Sequence, residues 1–175
     1  RSTGDIGASD APYLIAPNHT SFLDAFAVAA VLPKRVLGET HWGGWSGYTL
    51  RNRVFRGLSR AARVVPVDPD RAMISSMAFA VAVLRDGRNL VWFPEGQRAQ
   101  DGELQALRMG IGAILEAVPE SRVVPVFIDG AFDAWPHKRL LPRPRRICVV
   151  FGEPLTADTL AESGEGDKRR ERIVD

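Results

Sequence analysis

An α/β fold is expected, with a mostly parallel central sheet and helices on both of its faces. Three observations predict it. Short apolar runs alternate with helix-like segments along most of the chain, the pattern of βαβ units. Two of the apolar runs stop at a proline followed by a polar residue, as buried strands do when they leave a sheet. Residues able to do chemistry follow directly on apolar runs, where the carboxyl ends of parallel strands would carry them. The 175 residues suit a single domain and are enough to bury a sizeable core.

In chain order, residues 1–10 are small and polar and read as a frayed lead-in. Residues 13–16 form an apolar strand halted by Pro17-Asn18. Residues 21–32 have a helical composition and end at Pro33. Residues 35–39 read as a strand. Residues 41–48, with glycines, serine and two tryptophans, read as a loop with aromatic anchors. A helix is expected over 50–62 and a strand over 64–67. The clearest helix covers 70–86, with Asp70 as N-cap and Gly87 after its end. Residues 89–93 form a strand closed by Pro94, 96–104 a loop, and 107–117 a helix with two glycines. Strands are expected over 123–128 and 147–151, joined by a basic loop, then a short helix over 156–162. Residues 164–175 are charged and peripheral.

Composition narrows the class more than the function. The chain is 45% hydrophobic and 25% charged with a formal net charge of +2, an ordinary globular balance. The single cysteine, Cys148, excludes an internal disulfide and a cysteine-based metal site, and it reads as a core thiol. No run approaches the ~20 apolar residues of a membrane span. The sequence begins without Met or a signal-peptide layout, so a piece of a longer chain is expected, with any anchor elsewhere.

His19 and Asp24 lie five residues apart, just after the first strand. On one helix that spacing turns the two side chains apart by about 140°. They meet only if His19 sits in the loop, which Pro17-Asn18 favours, and Asp24 in the first helical turn. Asp24 would then hold one imidazole nitrogen and leave the other to take a proton, a base with its orienter and no protein nucleophile. Ser21 is placed to cap the helix or to hold the pair. The same spacing also suits a structural histidine in a turn and an aspartate favoured by the helix dipole.

A second charged loop, Glu95-Gly96-Gln97-Arg98, follows Phe93-Pro94. Arg98 suits a phosphate, and Glu95 suits a hydroxyl or the orientation of Arg98. As a solvated surface pair the two would contribute little. Arg71, after Val65-Pro66-Val67-Asp68-Pro69-Asp70, is a further phosphate ligand or a plain surface arginine. Val123-Val124-Pro125-Val126-Phe127 reads as pocket wall.

These four segments, in this order, resemble the four motif blocks of the glycerolipid acyltransferase superfamily, which includes lysophosphatidic acid and glycerol-3-phosphate acyltransferases. Asn18 to Asp24 matches its His-x-x-x-x-Asp block, and Phe93 to Arg98 its Phe-Pro-Glu-Gly-x-Arg block. Val65 to Arg71 is similar to its second block, and Val123 to Phe127 to its Val-Pro-Val block. The resemblance covers residues 13 to about 152. It departs in the extra turn before Arg71 and in Gln97, where the family commonly has Thr or Gly.

The resemblance implies that His19 and Asp24 are catalytic and move an acyl group without a covalent enzyme intermediate. The donor would be acyl-CoA or acyl-carrier protein. The acceptor would be a lysophospholipid or a glycerol phosphate, bound by a set drawn from Asn18, Ser21, Arg71, Glu95, Gly96 and Arg98. The oxyanion would need donors, sought among backbone N–H groups near the helix start. No metal and no redox cofactor is implied. Related acceptors such as lysophosphatidylethanolamine, a glycolipid or an amine fit the same blocks.

A catalytically silent lipid-binding module is the other class of reading, against which the base at His19 argues. Nucleic acid is not expected, since acids interleave with the arginines and no such motif is present. A membrane surface is expected as a partner. Arg51, Arg53, Arg56, Arg60 and Arg63 surround Leu50, Val54, Phe55, Leu58, Ala61 and Ala62 in an amphipathic pattern. A second basic cluster covers 137–146 beside Trp135, Leu140 and Leu141. These clusters would equally suit the phosphates of CoA, an acidic carrier or solvent. The expected location is cytoplasmic, peripheral on the inner face of a membrane.

Overall fold

The computed structural model describes residues 6, 11–45, 53–67, 73–136 and 139–163. Six strands form one sheet: β1 (Tyr13–Pro17), β2 (Thr40–Trp45), β3 (Val64–Val67), β4 (Asn89–Val91), β5 (Arg122–Asp129) and β6 (Cys148–Phe151). Their order across the sheet is β3-β2-β4-β1-β5-β6. Every pairing is parallel except that of β5 with β6. Between the strands run α1 (Asp24–Val31), α2 (Lys34–Gly38), α3 (Arg53–Ala61), α4 (Met73–Arg85), α5 (Gly110–Ala117) and α6 (Ala131–Ala134), with α7 (Ala157–Ser163) after β6. The expected fold class therefore holds. No helix among the described residues is long and apolar enough to cross a membrane.

Strand periodicity divides the core in two. Leu14, Leu90 and Val123 point to one face, packed against Leu84 of α4 and Ile111, Ile114 and Leu115 of α5. Their neighbours Ile15, Val91 and Val124 point to the other, against Val28 of α1 and Val36 of α2. The helix after β1 thus covers one face and the helix after β4 covers the opposite one, although β1 and β4 are hydrogen-bonded neighbours. Their outgoing loops part here, at the kind of switch point where open α/β sheets bind ligands.

Two expectations about elements are corrected. Residues 35–39 do not form a strand, because Lys34–Gly38 is the short helix α2. Pro33 precedes it and its carbonyl accepts the Leu37 N–H at 2.9 Å, so the apolar Val36 is buried from a helical turn. Residues 41–45 are not loop but part of β2, with Gly43 opposite Val65 and Gly44 opposite Pro66. Gly43 marks close approach rather than a turn: a Cβ there would lie 3.3 Å from both the Trp92 ring and the Val91 carbonyl. Pro66 is tolerated because β3 is an edge strand. The basic connection before β6 also contains α6, absent from the sequence reading. The proposed N-cap Asp70 and the tail 164–175 lie outside the described residues.

Gly130, at the start of α6, is a position where only glycine fits. Its φ is +77°, and a Cβ there would collide with the Arg146 carbonyl. Gly130→Ala is expected to destabilise the domain by about 1–3 kcal/mol, read as a lowered denaturation midpoint. An unchanged midpoint would refute the close packing of these two segments.

His41, in β2, has a buried Nδ1 with no hydrogen-bond partner among the described residues. Burial first, and then the charges of Arg63 and Arg88, hold its pKa below the ordinary 6.5. The unfolded chain therefore takes up a proton here before the folded one. The stability from neutral His41 is complete above pH 6.5 and is lost as the pH falls through and below it. The melting temperature is expected to fall between about pH 7.5 and about 5.5, and His41→Gln should make that fall shallower. Parallel pH profiles would contradict this.

Candidate active site

The chain leaves β1 through a loop tied down on several sides. Asn18 acts as an extra rung toward β5: its N–H donates to Val126 O at 3.2 Å, and its Oδ1 accepts the Ile128 N–H at 2.7 Å. Its Nδ2 donates to Ile128 O at 3.1 Å. The amide expected to touch substrate is thus engaged with main chain. At the next residue, the His19 N–H donates to Glu95 Oε1 at 2.6 Å and the His19 carbonyl accepts the Ala99 N–H at 2.7 Å.

Asp24 opens α1 and is completely buried. Its Oδ2 accepts the N–H groups of Thr20 and Ser21, each at 2.7 Å, and meets His19 Nδ1 at 2.9 Å. His19 in the loop and Asp24 in the first turn therefore come together as the motif requires. A carboxylate only accepts, so Nδ1 is the donor in this contact, and in the neutral ring Nε2 keeps its lone pair. The imidazole is 22% exposed and stacks on Phe93, with ring centroids 4.0 Å apart. Asp24 Oδ1, also buried, has no hydrogen-bond partner among the described residues.

Ser21 does not cap the helix. Leu23 holds the N-cap position with no side-chain bond. Ser21 Oγ instead accepts the Leu23 N–H at 3.2 Å and donates to Trp135 O at 2.8 Å, tying the loop to the end of α6. Three main-chain donors near the helix start are also taken: Thr20 and Ser21 serve Asp24, and Leu23 serves Ser21. They are not the oxyanion donors sought there.

The second motif leaves β4 beside the first. The sequence reading places Glu95 against the acceptor, yet the residue is only 2% exposed and both its oxygens face main-chain donors. Oε1 accepts from His19 N–H, and Oε2 accepts the Gln105 N–H at 3.0 Å. Burial raises its pKa above the usual carboxylate range, while those two N–H groups draw it back. Gly96 makes the turn, its N–H donating to Phe93 O at 3.1 Å with φ at +73°. Arg108 packs across the turn, with Nε donating to Glu95 O at 3.0 Å. Arg98 is half-buried beside the histidine loop, its guanidinium carbon 3.6 Å above the centre of the Phe22 ring. Trp135 flanks Phe22 at 5.4 Å between centroids. Arg71 lies outside the described residues.

Sequence reasoning missed Phe22, Phe93, Gln105, Arg108 and the bracing role of Trp135. The two phenylalanines lie inside the motifs and were there to be found. The other three contact the site from ten or more residues away.

Comparison with known proteins identifies the family. The profile of the Acyltransferase family matches residues 3–129. A 1-acyl-sn-glycerol-3-phosphate acyltransferase of Cocos nucifera is 28% identical over 83% of this chain and 46% of its own length. The protein of the same description from Limnanthes douglasii is 31% identical over 81% of this chain and 49% of its own length. The chain thus spans about half the length of these curated relatives. The crystal structure of the 1-acyl-sn-glycerophosphate (LPA) acyltransferase PlsC from Thermotoga maritima superposes with a TM-score of 0.71 at 19% identity. That match covers 94% of this chain and 61% of the other. On the extent of the profile match, the chain belongs to the Acyltransferase family.

Proposed function

We propose that this domain transfers an acyl group from a thioester, acyl-CoA or acyl-carrier protein, to the free hydroxyl of 1-acylglycerol 3-phosphate. The observation that carries the proposal is the 2.9 Å contact of His19 Nδ1 with the buried carboxylate of Asp24, which leaves Nε2 as the ring nitrogen to act as base. The acceptor follows from what the relatives are named for.

In this reading His19 Nε2 removes the hydroxyl proton as the oxygen attacks the thioester carbonyl. The tetrahedral centre collapses, the C–S bond breaks, and the imidazolium returns its proton to the departing thiolate. Asp24 fixes the tautomer and stabilises the imidazolium. Arg98, braced on Phe22, offers its guanidinium to the acceptor phosphate. Glu95 is a positioning residue that fixes the backbone of His19, since both its oxygens are engaged. In this reading the domain works at a bilayer surface, on the cytoplasmic side.

The test is direct. The protein is incubated with palmitoyl-CoA and, separately, lysophosphatidate, glycerol 3-phosphate and lysophosphatidylethanolamine, and acylated lipid and free CoA are measured together. Phosphatidate with stoichiometric CoA supports the proposal. Product only from another acceptor would keep the chemistry and replace the substrate. CoA release without acylated lipid would sink acyl transfer in favour of hydrolysis.

A further inference from the structure

The connection from α6 to β6 combines exposed leucines with arginines. Leu140 is 92% exposed and its neighbour Leu141 74%. Every residue from 140 to 146 is exposed. Arg139 precedes the leucines, and Arg143, Arg145 and Arg146 follow them. No acidic residue occurs between Asp133 and Glu153, so the positive charge has no local counterpart in sequence.

The base of this segment is tied down. Trp135 Nε1 donates to Arg139 O at 2.8 Å, and the Arg143 N–H donates to Ala134 O at 2.7 Å. Pro142 and Pro144 restrict the tip. Two exposed leucines on a braced turn are thus presented at little further entropic cost. The same Trp135 accepts the Ser21 hydroxyl and lies against Phe22, so the segment sits next to the histidine loop.

We infer that residues 139–146 dock the domain on an anionic bilayer, with Leu140 and Leu141 entering the interface and Arg139, Arg143, Arg145 and Arg146 meeting lipid phosphates. Charge complementarity selects this occupant, and the leucine pair separates it from nucleic acid, which would use the arginines alone. The inference deepens the proposed function, which supplies its purpose, but docking is measured without any acyl transfer.

The experiment is co-sedimentation with vesicles of phosphatidylcholine alone or with about one-third phosphatidylglycerol. Wild type is compared with Leu140→Ser/Leu141→Ser, with Arg143→Glu/Arg145→Glu, and with Arg53→Glu/Arg56→Glu in α3, whose arginines are also exposed. Wild type is expected to bind the anionic vesicles only, and each loop pair to lower its partitioning at least about tenfold. The α3 pair should stay close to wild type. All these side chains are exposed, so thermal melts should be unaltered and misfolding excluded. Loop variants that sediment like wild type would overturn the inference. So would dominance of the α3 pair, or a wild type indifferent to anionic lipid. A wild type that sediments with anionic vesicles but makes no acylated lipid would sink the proposed function and leave the docking standing.

Discussion

Replacing His19 with Ala is expected to lower acyl transfer by about a hundred- to ten-thousandfold, the usual contribution of a positioned general base. The fold should survive. The structural links of residue 19 run through its main chain, to Glu95 and Ala99, and these persist in alanine. Only the Phe93 stacking and the bond to Asp24 are lost, about 1–2 kcal/mol together. Asp24 Oδ2 keeps the Thr20 and Ser21 donors. Initial rates with palmitoyl-CoA and lysophosphatidate, beside a thermal melt, check both halves. Equal product from wild type and variant would remove His19 from the chemistry and end the mechanism proposed for it.

Glu95→Ala is expected to damage both activity and stability, and that pairing is diagnostic. The buried carboxylate satisfies the N–H groups of His19 and Gln105. Its removal orphans both, each costing about 1–3 kcal/mol when no water replaces the acceptor. Relief of the desolvation that raises the Glu95 pKa offsets part of this, leaving a net loss of about 1–4 kcal/mol. Activity should fall because the backbone of His19 loses its anchor, and the fall should lie in kcat. Glu95→Gln keeps one acceptor oxygen but turns an NH2 group toward the other N–H, so it should fall between wild type and alanine. A residue that bound the acceptor would behave otherwise: KM would rise and the melt would not move. That pattern would refute the positioning role.

How much of this was legible in the sequence depends on the range of each interaction. The alternation of apolar runs and helices carried the fold class, because strand and helix periods are local. The strand at 40–45 was hidden because Gly43-Gly44 looks like a loop in its own neighbourhood. The Trp92 ring and the Val91 carbonyl, nearly fifty residues later, explain Gly43. The short helix at 34–38 was read as extended because five residues carry too little periodicity to tell one from the other. At the site, the proximity of His19 and Asp24 followed from Pro17-Asn18 forcing a loop before a helix, a local inference. The part played by Glu95 did not follow, since one of its partners lies 76 residues away. Likewise, the seat of Arg98 on Phe22 is a contact between two motifs and is written in neither.

Residue 19 is held at its N–H by Glu95 and at its carbonyl by Ala99, while only its ring reaches Asp24. Where the residue sits and what it does are therefore governed by different parts of the molecule. In evolutionary terms, and under the proposed mechanism, a descendant that exchanged this histidine would keep the backbone of its loop and forfeit its chemistry. A single substitution would then turn the proposed catalyst into a receptor for the same lipids.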